Sequence, residues 1–129
     1  MLTNDFCEVL NLECLPGEIR AVLQWNKAHA IFQGHFPGQP VVPGVCMLQI
    51  VKEVLEKCIA KELLLQESSQ MKFLQFIDPR VTEAVDILIR FTTTESGVYK
   101  VNAVLQKDQL IYFKCMCVYL PSEADKGEV

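Results

Sequence analysis

A stiff loop that leads into an apolar helical pattern is the feature that most constrains this chain. Residues 32–45 contain three prolines, three glycines and one histidine, His35. Proline fixes φ and pushes the preceding residue towards extended backbone, whereas glycine allows turns in which a Cβ would clash. Such a loop holds one titratable side chain in place at the start of a helix, and it therefore predicts a functional site there.

The helical pattern that follows covers residues 45–63. Its apolar positions recur at helical spacing and fill most of the surface: Met47, Leu48, Ile50, Val51, Val54, Leu55, Cys58 and Ile59. Only a thin polar strip remains, formed by Lys52, Glu56 and Lys57. A helix this apolar is expected to be wrapped by the rest of the fold rather than to rest on one surface.

Alternation of apolar and polar residues predicts the strands. The predicted strands cover residues 19–25, 69–77, 84–94, 98–106 and 110–120. Turn signals lie at residues 15–17, 95–97 and, more weakly, 107–109. One long helix followed by antiparallel strands indicates an α+β fold in which the sheet curls around the helix.

The first twelve residues and the composition complete the outline. Leu2, Phe6, Val9 and Leu10 are spaced as in a short amphipathic helix over residues 1–12. The length of 129 residues predicts a single domain, residues 1–129, and the mean hydropathy of +0.21 favours a buried oligomer interface.

Charge and hydropathy exclude several functional classes. A net charge of −4 argues against nucleic-acid binding. No apolar run reaches the roughly 18 residues of a membrane span, and no basic leader is evident, so a cytoplasmic protein is expected.

The six cysteines indicate neither a zinc site nor a disulfide framework. None of them forms a C-x-x-C pair, and the chain has only two histidines. Cys115 and Cys117 alternate within an apolar run and would face the same side of a strand. We expect six reduced, mostly buried thiols.

Two features near the loop carry the predicted chemistry. The imidazole of His35 titrates near neutrality and can act as a base, although a histidine bonded to a loop carbonyl is the alternative. Gly44 and Val45 begin the helix with no Ser, Thr, Asp or Asn before them. Their N–H groups can hold a carbonyl oxygen or an oxyanion, unless water or the loop satisfies them.

Residues 34–45 resemble the signature G-H-F-P-G-x-P-x-x-P-G-V of the β-hydroxyacyl-[acyl carrier protein] dehydratases of bacterial fatty acid synthesis. The resemblance implies a hot-dog fold and a dimer with two equivalent sites between the subunits. It also implies that His35 works with a carboxylate on the central helix of the other subunit. The backbone N–H of Gly44 would hold the thioester carbonyl.

One position departs from the family pattern. The family's carboxylate falls at Gln49, and an amide can hydrogen-bond but cannot exchange a proton as an acid or base. One helical turn later, where many members carry Gln, this chain has Glu53. The hypothesis is that Glu53 of the second copy replaces the missing acid. The alternative is that Glu53 belongs to a solvated strip with Lys57.

Other residues near the loop have two interpretations. Phe32 and Phe36 flank His35 and would line a tunnel for an acyl chain or fill the core. His29 is expected to be exposed. Lys72 and Arg80 would attract an acidic carrier protein or be ordinary surface cations.

The resemblance implies a dehydratase that converts 3-hydroxyacyl thioesters into trans-2-enoyl thioesters. It needs no metal or redox cofactor, because the phosphopantetheine arm arrives with the substrate on acyl carrier protein. Partners are this carrier and a second copy, with larger assemblies of dimers or a heterodimer left open. Two alternatives remain: a thioesterase on the same fold, and a non-catalytic acyl-thioester-binding subunit, which Gln49 favours.

Overall fold

Six antiparallel strands and one long helix make up the fold. The computed structural model describes residues 1–34, 38 and 40–122 of the chain. The sheet has the order β1-β2-β4-β5-β6-β3. The strands are β1 (Cys7–Leu15), β2 (Glu18–Trp25), β3 (Leu63–Phe73), β4 (Ala84–Thr93), β5 (Tyr99–Lys107) and β6 (Leu110–Pro121). A 3-10 turn (Leu2–Asn4), a short helix α1 (Ala30–Gly34) and the long helix α2 (Gly44–Ile59) complete the structure.

One face of the sheet is buried against α2. In β2 the inward residues are Ile19, Ala21, Leu23 and Trp25, each at most 5% exposed. The inward residues of β4 and β5 are likewise buried, as the period of two predicts. The sheet and the central helix form the hot-dog fold, which confirms the predicted α+β class.

The buried face of α2 matches the predicted one. Ile50, Val51, Val54 and Leu55 are completely inaccessible to solvent. Burying one such side chain contributes about 1.5–3 kcal/mol, so this face anchors the helix in the core. The predicted end at residue 63 was wrong, because Ala60 adopts a left-handed conformation with φ of 57°. Leu63 then begins β3, and its N–H donates to the Glu56 carboxylate at 2.8 Å.

The N-terminal segment differs from its prediction. Residues 1–12 do not form a helix, because only Leu2–Asn4 makes a helical turn and β1 begins at Cys7. β1 pairs with β2 along its length, with an irregular register between Leu10 and Glu13. The apolar spacing fits a helix and an irregular strand alike, and the backbone hydrogen bonds that β2 offers decide between them.

The cysteines also differ from their prediction. Cys14 and Cys58 form a disulfide with a Cα–Cα distance of 5.5 Å, so these two thiols are not reduced. Cys7, Cys46, Cys115 and Cys117 are free and buried. The bridge joins the end of β1 to the last turn of α2, two segments that only the folded topology brings together.

Candidate functional site

The N-terminus of α2 lies open at the surface. Pro43 precedes the helix in an extended conformation, and no side chain caps the helix. The N–H groups of Cys46 and Met47 both donate to the Pro43 carbonyl, at 3.0 and 3.2 Å. Those of Gly44 and Val45 have no acceptor within the described part of the chain, and Val45 is 75% exposed. The absence of a side-chain cap agrees with the prediction, and aligned peptide dipoles give a helix start of this kind a partial positive charge.

Gly44 has a packing role that the sequence did not indicate. A Cβ at this position would lie 2.4 Å from Cε1 of Phe73, so the aromatic ring rests directly on the glycine. Phe73 also packs on Phe113, with ring centroids 5.0 Å apart. Because only glycine admits the ring this closely, Phe73 and the helix start form one wall of a shared surface.

This wall borders an apolar cavity of about 360 Å³. The cavity is lined by Val41, Val42, Pro43, Gly44, Met47, Phe73, Gln75 and Phe76. Sequence reasoning missed Phe73 and Phe76, although the apolar run at residues 73–77 signals that this strand end continues into something buried or bound. The arrangement places an apolar chamber beside two free N–H donors, which suits an apolar chain that ends in a carbonyl group.

Glu53 is buried in the middle of α2 and is fully hydrogen-bonded. Its side chain is 2% exposed. One oxygen accepts from the backbone N–H and the hydroxyl of Thr3, both at 3.0 Å. The other accepts from the Leu2 N–H at 3.2 Å and from Nε2 of Gln49 at 3.0 Å. The alternative interpretation, in which Glu53 belongs to a solvated strip with Lys57, is therefore wrong.

These contacts determine the charge of Glu53. Burial raises the pKa of its carboxyl group, but hydrogen bonds from Thr3, Gln49 and Leu2 outweigh burial and leave the pKa below its ordinary value. Burial, followed by the charge of Glu53, raises the pKa of the nearby Cys7 thiol to about 12. Glu53 is thus an ionised hydrogen-bond acceptor at neutral pH, and Cys7 stays protonated.

Gln49 and Glu53 lie on the wall of a second, open groove of about 750 Å³. The groove also has Met1, Lys52, Glu56, Lys57, Ala60, Lys61, Glu62, Leu63, Leu64 and Ser122 on its walls. None of these residues lines the apolar cavity at Gly44. Within one chain, the helix start and the Gln49–Glu53 pair therefore belong to different depressions.

The remaining predicted residues are placed as follows. His35 and Phe36 lie outside the described residues. Phe32 is 4% exposed and stacks on Phe6 with centroids 4.7 Å apart, in the core. His29 was expected to be exposed, but its side chain is only 15% exposed and its Nε2 lies 3.0 Å from the Asp5 carboxylate.

The described part of the chain has neither a metal-binding cluster nor a helix that could span a membrane. No group of three or more His, Cys, Asp or Glu side chains within residues 1–34, 38 and 40–122 could hold a metal ion. No helix in the same part of the chain has both the length and the apolar character needed to cross a bilayer.

Comparison with known proteins places these features in a family. The family model described as ApeI dehydratase, of the ApeI-like group, matches residues 13–111. The 3-hydroxyacyl-[acyl-carrier-protein] dehydratase FabZ of Burkholderia cenocepacia is 33% identical over 108 residues, which are 78% of this chain and 69% of the relative. FabZ of Wolbachia pipientis wMel is 28% identical over 101 residues, 72% of this chain and 69% of the relative.

A solved structure shows the same fold. The dehydratase heterocomplex ApeI:P from Xenorhabdus doucetiae contains a chain that is 20% identical, with a TM-score of 0.66. The match covers 88% of this chain and 97% of that one. The family model matches most of the chain, and the hot-dog architecture agrees with it. This chain belongs to the ApeI-like dehydratase family.

Proposed function

We propose that this protein removes water from 3-hydroxyacyl thioesters and releases trans-2-enoyl thioesters. The observation that carries the proposal is the uncapped start of α2 at Gly44, beside an apolar cavity and directly after the His35 loop. The acyl chain would occupy this cavity. The thioester oxygen would accept hydrogen bonds from the N–H groups of Gly44 and Val45, which stabilise the charge that develops when the α-proton leaves.

His35 takes the α-proton in this mechanism, and the C3–O bond then breaks. The departing hydroxyl group needs one proton to leave as water, so the proton taken by His35 returns to it, either directly or by recharging a protonated acid on the helix. Gln49 can hold this hydroxyl group but has no proton to give. Glu53 is the carboxylate one turn further along, and to serve as the acid it would have to become protonated and leave the Leu2 and Thr3 donors.

The proposal includes a second copy of the chain. β3 is an edge strand that is exposed after Leu63, and its exposed apolar residues lie towards its two ends, on either side of the polar residues 66–70. Its exposed apolar residues, with those of the adjoining segment, are Leu64, Leu65, Met71, Phe73, Leu74 and Phe76. Exposed apolar surface of this kind marks an interaction site. Pairing of two copies would bring the Gly44 cavity of one chain towards the Gln49 groove of the other, which a single chain keeps apart.

The substrate would arrive on acyl carrier protein, as the names of the FabZ relatives state for those proteins. The thioester arm belongs to that carrier, and the elimination requires no metal or redox cofactor. We place the protein in the cytoplasm, where such carriers and their substrates would be met.

A second candidate is a non-catalytic subunit that binds acyl thioesters beside a catalytic partner. Two residues favour this candidate: Gln49 has no carboxyl group, and both carboxylate oxygens of Glu53 already accept hydrogen bonds. The structurally similar ApeI:P complex is described as a heterocomplex. In this arrangement the partner chain supplies the acid.

One assay separates these functions. Purified protein is incubated with a 3-hydroxyacyl thioester of acyl carrier protein, and enoyl product and free acid are measured separately. The proposal expects enoyl product that His35→Ala abolishes and that Glu95→Gln, an exposed hairpin change, preserves. Product lost in Glu53→Ala but kept in Gln49→Ala identifies Glu53 as the acid. Elimination only in Gln49→Glu supports the non-catalytic subunit, and hydrolysis without elimination indicates a thioesterase.

A further inference from the structure

The Gln49 amide has one orientation that is compatible with Glu53. An ionised carboxylate only accepts hydrogen bonds, and Glu53 is ionised because its hydrogen bonds lower its pKa. The amide nitrogen of Gln49 must therefore be the atom that faces Glu53, at 3.0 Å. The reverse orientation would set a carbonyl oxygen against a carboxylate oxygen. The Gln49 carbonyl oxygen consequently points away from Glu53.

Glu53 is itself held in place by residues at the N-terminus of the chain. The N–H of Leu2 and the N–H and hydroxyl of Thr3 bind its two oxygens. These donors come from the N-terminal 3-10 turn, about 50 residues away in sequence. Because both carboxylate oxygens are already engaged, the carboxylate cannot rotate without losing buried hydrogen bonds, and it acts as a fixed reference for the Gln49 amide.

The Gln49 side chain is exposed where it lines the 750 Å³ groove. Its carbonyl oxygen has no hydrogen-bond donor among the residues that the structure describes. The groove wall therefore presents an acceptor with a preset direction. Such an acceptor favours ligands that donate a hydrogen bond and disfavours ligands that present an oxygen lone pair at the same point.

We propose that Glu53 is a positioning residue, which turns the Gln49 carbonyl oxygen into the groove to accept a hydrogen bond from the 3-hydroxyl group of an acyl thioester. The inference rests on the proposed function and adds a specificity to it. A 3-hydroxyacyl chain is preferred over the unsubstituted chain, which lacks the donor. It is also preferred over the 3-oxoacyl chain, whose ketone oxygen would face the Gln49 oxygen.

The orientation is tested without any ligand. In protein labelled with ¹⁵N-glutamine, the side-chain NH₂ signals of Gln49 are assigned through their loss in Gln49→Leu. We expect these signals to shift in Glu53→Gln and to stay in place in Glu95→Gln, the same chemical change at an exposed site. Unchanged Gln49 signals in folded Glu53→Gln would overturn the proposed orientation.

The specificity is tested by binding. The ligands are pantetheine thioesters of 3-hydroxyhexanoate, 3-oxohexanoate and hexanoate, measured in a His35→Ala background so that the proposed turnover does not consume the first. We expect roughly fivefold tighter binding of the 3-hydroxy compound, the value of one net hydrogen bond. Gln49→Leu and Glu53→Gln should each lose this preference.

The variant Thr3→Val distinguishes the positioning of Gln49 by Glu53 from a general effect of Glu53 on the stability of the protein. It removes one donor to Glu53 but leaves the Gln49–Glu53 contact, so it should lower the melting temperature and keep the ligand preference. Equal binding of the three thioesters by the His35→Ala protein, with Gln49, Glu53 and Thr3 intact, would overturn the proposed specificity. Binding of none of them overturns the proposed function as well, whereas the ligand-free signals still report whether Glu53 orients Gln49.

Discussion

The two ends of helix α2 differ in how their backbone groups are capped and held. At its start, Gly44 and Val45 keep N–H groups without acceptors in the described structure, next to an apolar cavity and an exposed edge. At its end, Ala60 closes the helix with a left-handed residue whose N–H donates to the Glu56 carbonyl. The Cys14–Cys58 disulfide and the Leu63 hydrogen bond fasten this end further.

The difference separates groups that hold the fold from groups that remain available to a ligand. Between the two ends, Glu53 resembles the fastened end, because each of its oxygens already has donors. A helix fixed at its middle and its end can leave its start open without losing position. We therefore expect changes at the fastened end to affect stability and changes at the open end to affect binding.

The largest expected effect on stability is at the disulfide. A bridge that closes a loop of 44 residues restricts the unfolded chain by about 4 kcal/mol. Cys14→Ala/Cys58→Ala should lower the free energy of unfolding by up to this amount, measured in urea. Reductant should destabilise the original protein and leave the double variant unaffected. Equal stability of the original protein with and without reductant would contradict the claim that the disulfide stabilises the end of α2.

Glu53→Ala is expected to have the next largest effect. It leaves the part-buried N–H of Leu2 and the buried N–H of Thr3 without their charged acceptor, which costs on the order of 3 kcal/mol. The exposed change Glu95→Ala should stay within about 0.5 kcal/mol. Urea unfolding of both variants measures the contrast. If Glu53→Ala were as stable as Glu95→Ala, Glu53 would not be among the groups that hold the fold and would instead be available to a ligand, like the start of α2.

The sequence predicted the parts of the fold that depend on local period. Alternation placed β2 and β4 correctly, and the helical spacing identified the buried face of α2. The i, i+4 spacing also brought Gln49 and Glu53 together, as observed. The Pro/Gly loop and the missing cap predicted the open helix start.

The sequence predictions were wrong where contacts between segments distant in sequence determine the structure. The N-terminal segment became a strand because β2 offers a hydrogen-bonding edge, which the spacing of Leu2 and Phe6 cannot show. The donors to Glu53 lie about 50 residues away, and the cysteine partners lie 44 apart. Phe73 rests on Gly44 only because the end of β3 passes the helix start. None of these contacts leaves a local pattern in the sequence.

At the open end, Gly44→Ala is expected to change both packing and activity. The new methyl group would meet the Phe73 ring at 2.4 Å, so the ring must swing away at a cost of about 1–2 kcal/mol. Because the ring also lines the cavity, elimination should fall more than stability does. Adding Phe73→Ala should remove most of the stability loss caused by the methyl group, which a double-mutant cycle measures. Additive losses would show that ring and glycine are independent.

Val45→Ser should have the smallest effect. Its side chain is 75% exposed, so the change in unfolding free energy should stay within about 0.5 kcal/mol. In the proposed mechanism its backbone N–H, which serine retains, holds the thioester oxygen. The rate of enoyl formation should therefore stay close to that of the original protein, whereas Gly44→Ala lowers it. A large loss of activity in Val45→Ser, without loss of stability, would show that the exposed side chain itself contacts the substrate or its carrier. The open end would then act through a side chain as well as through the backbone.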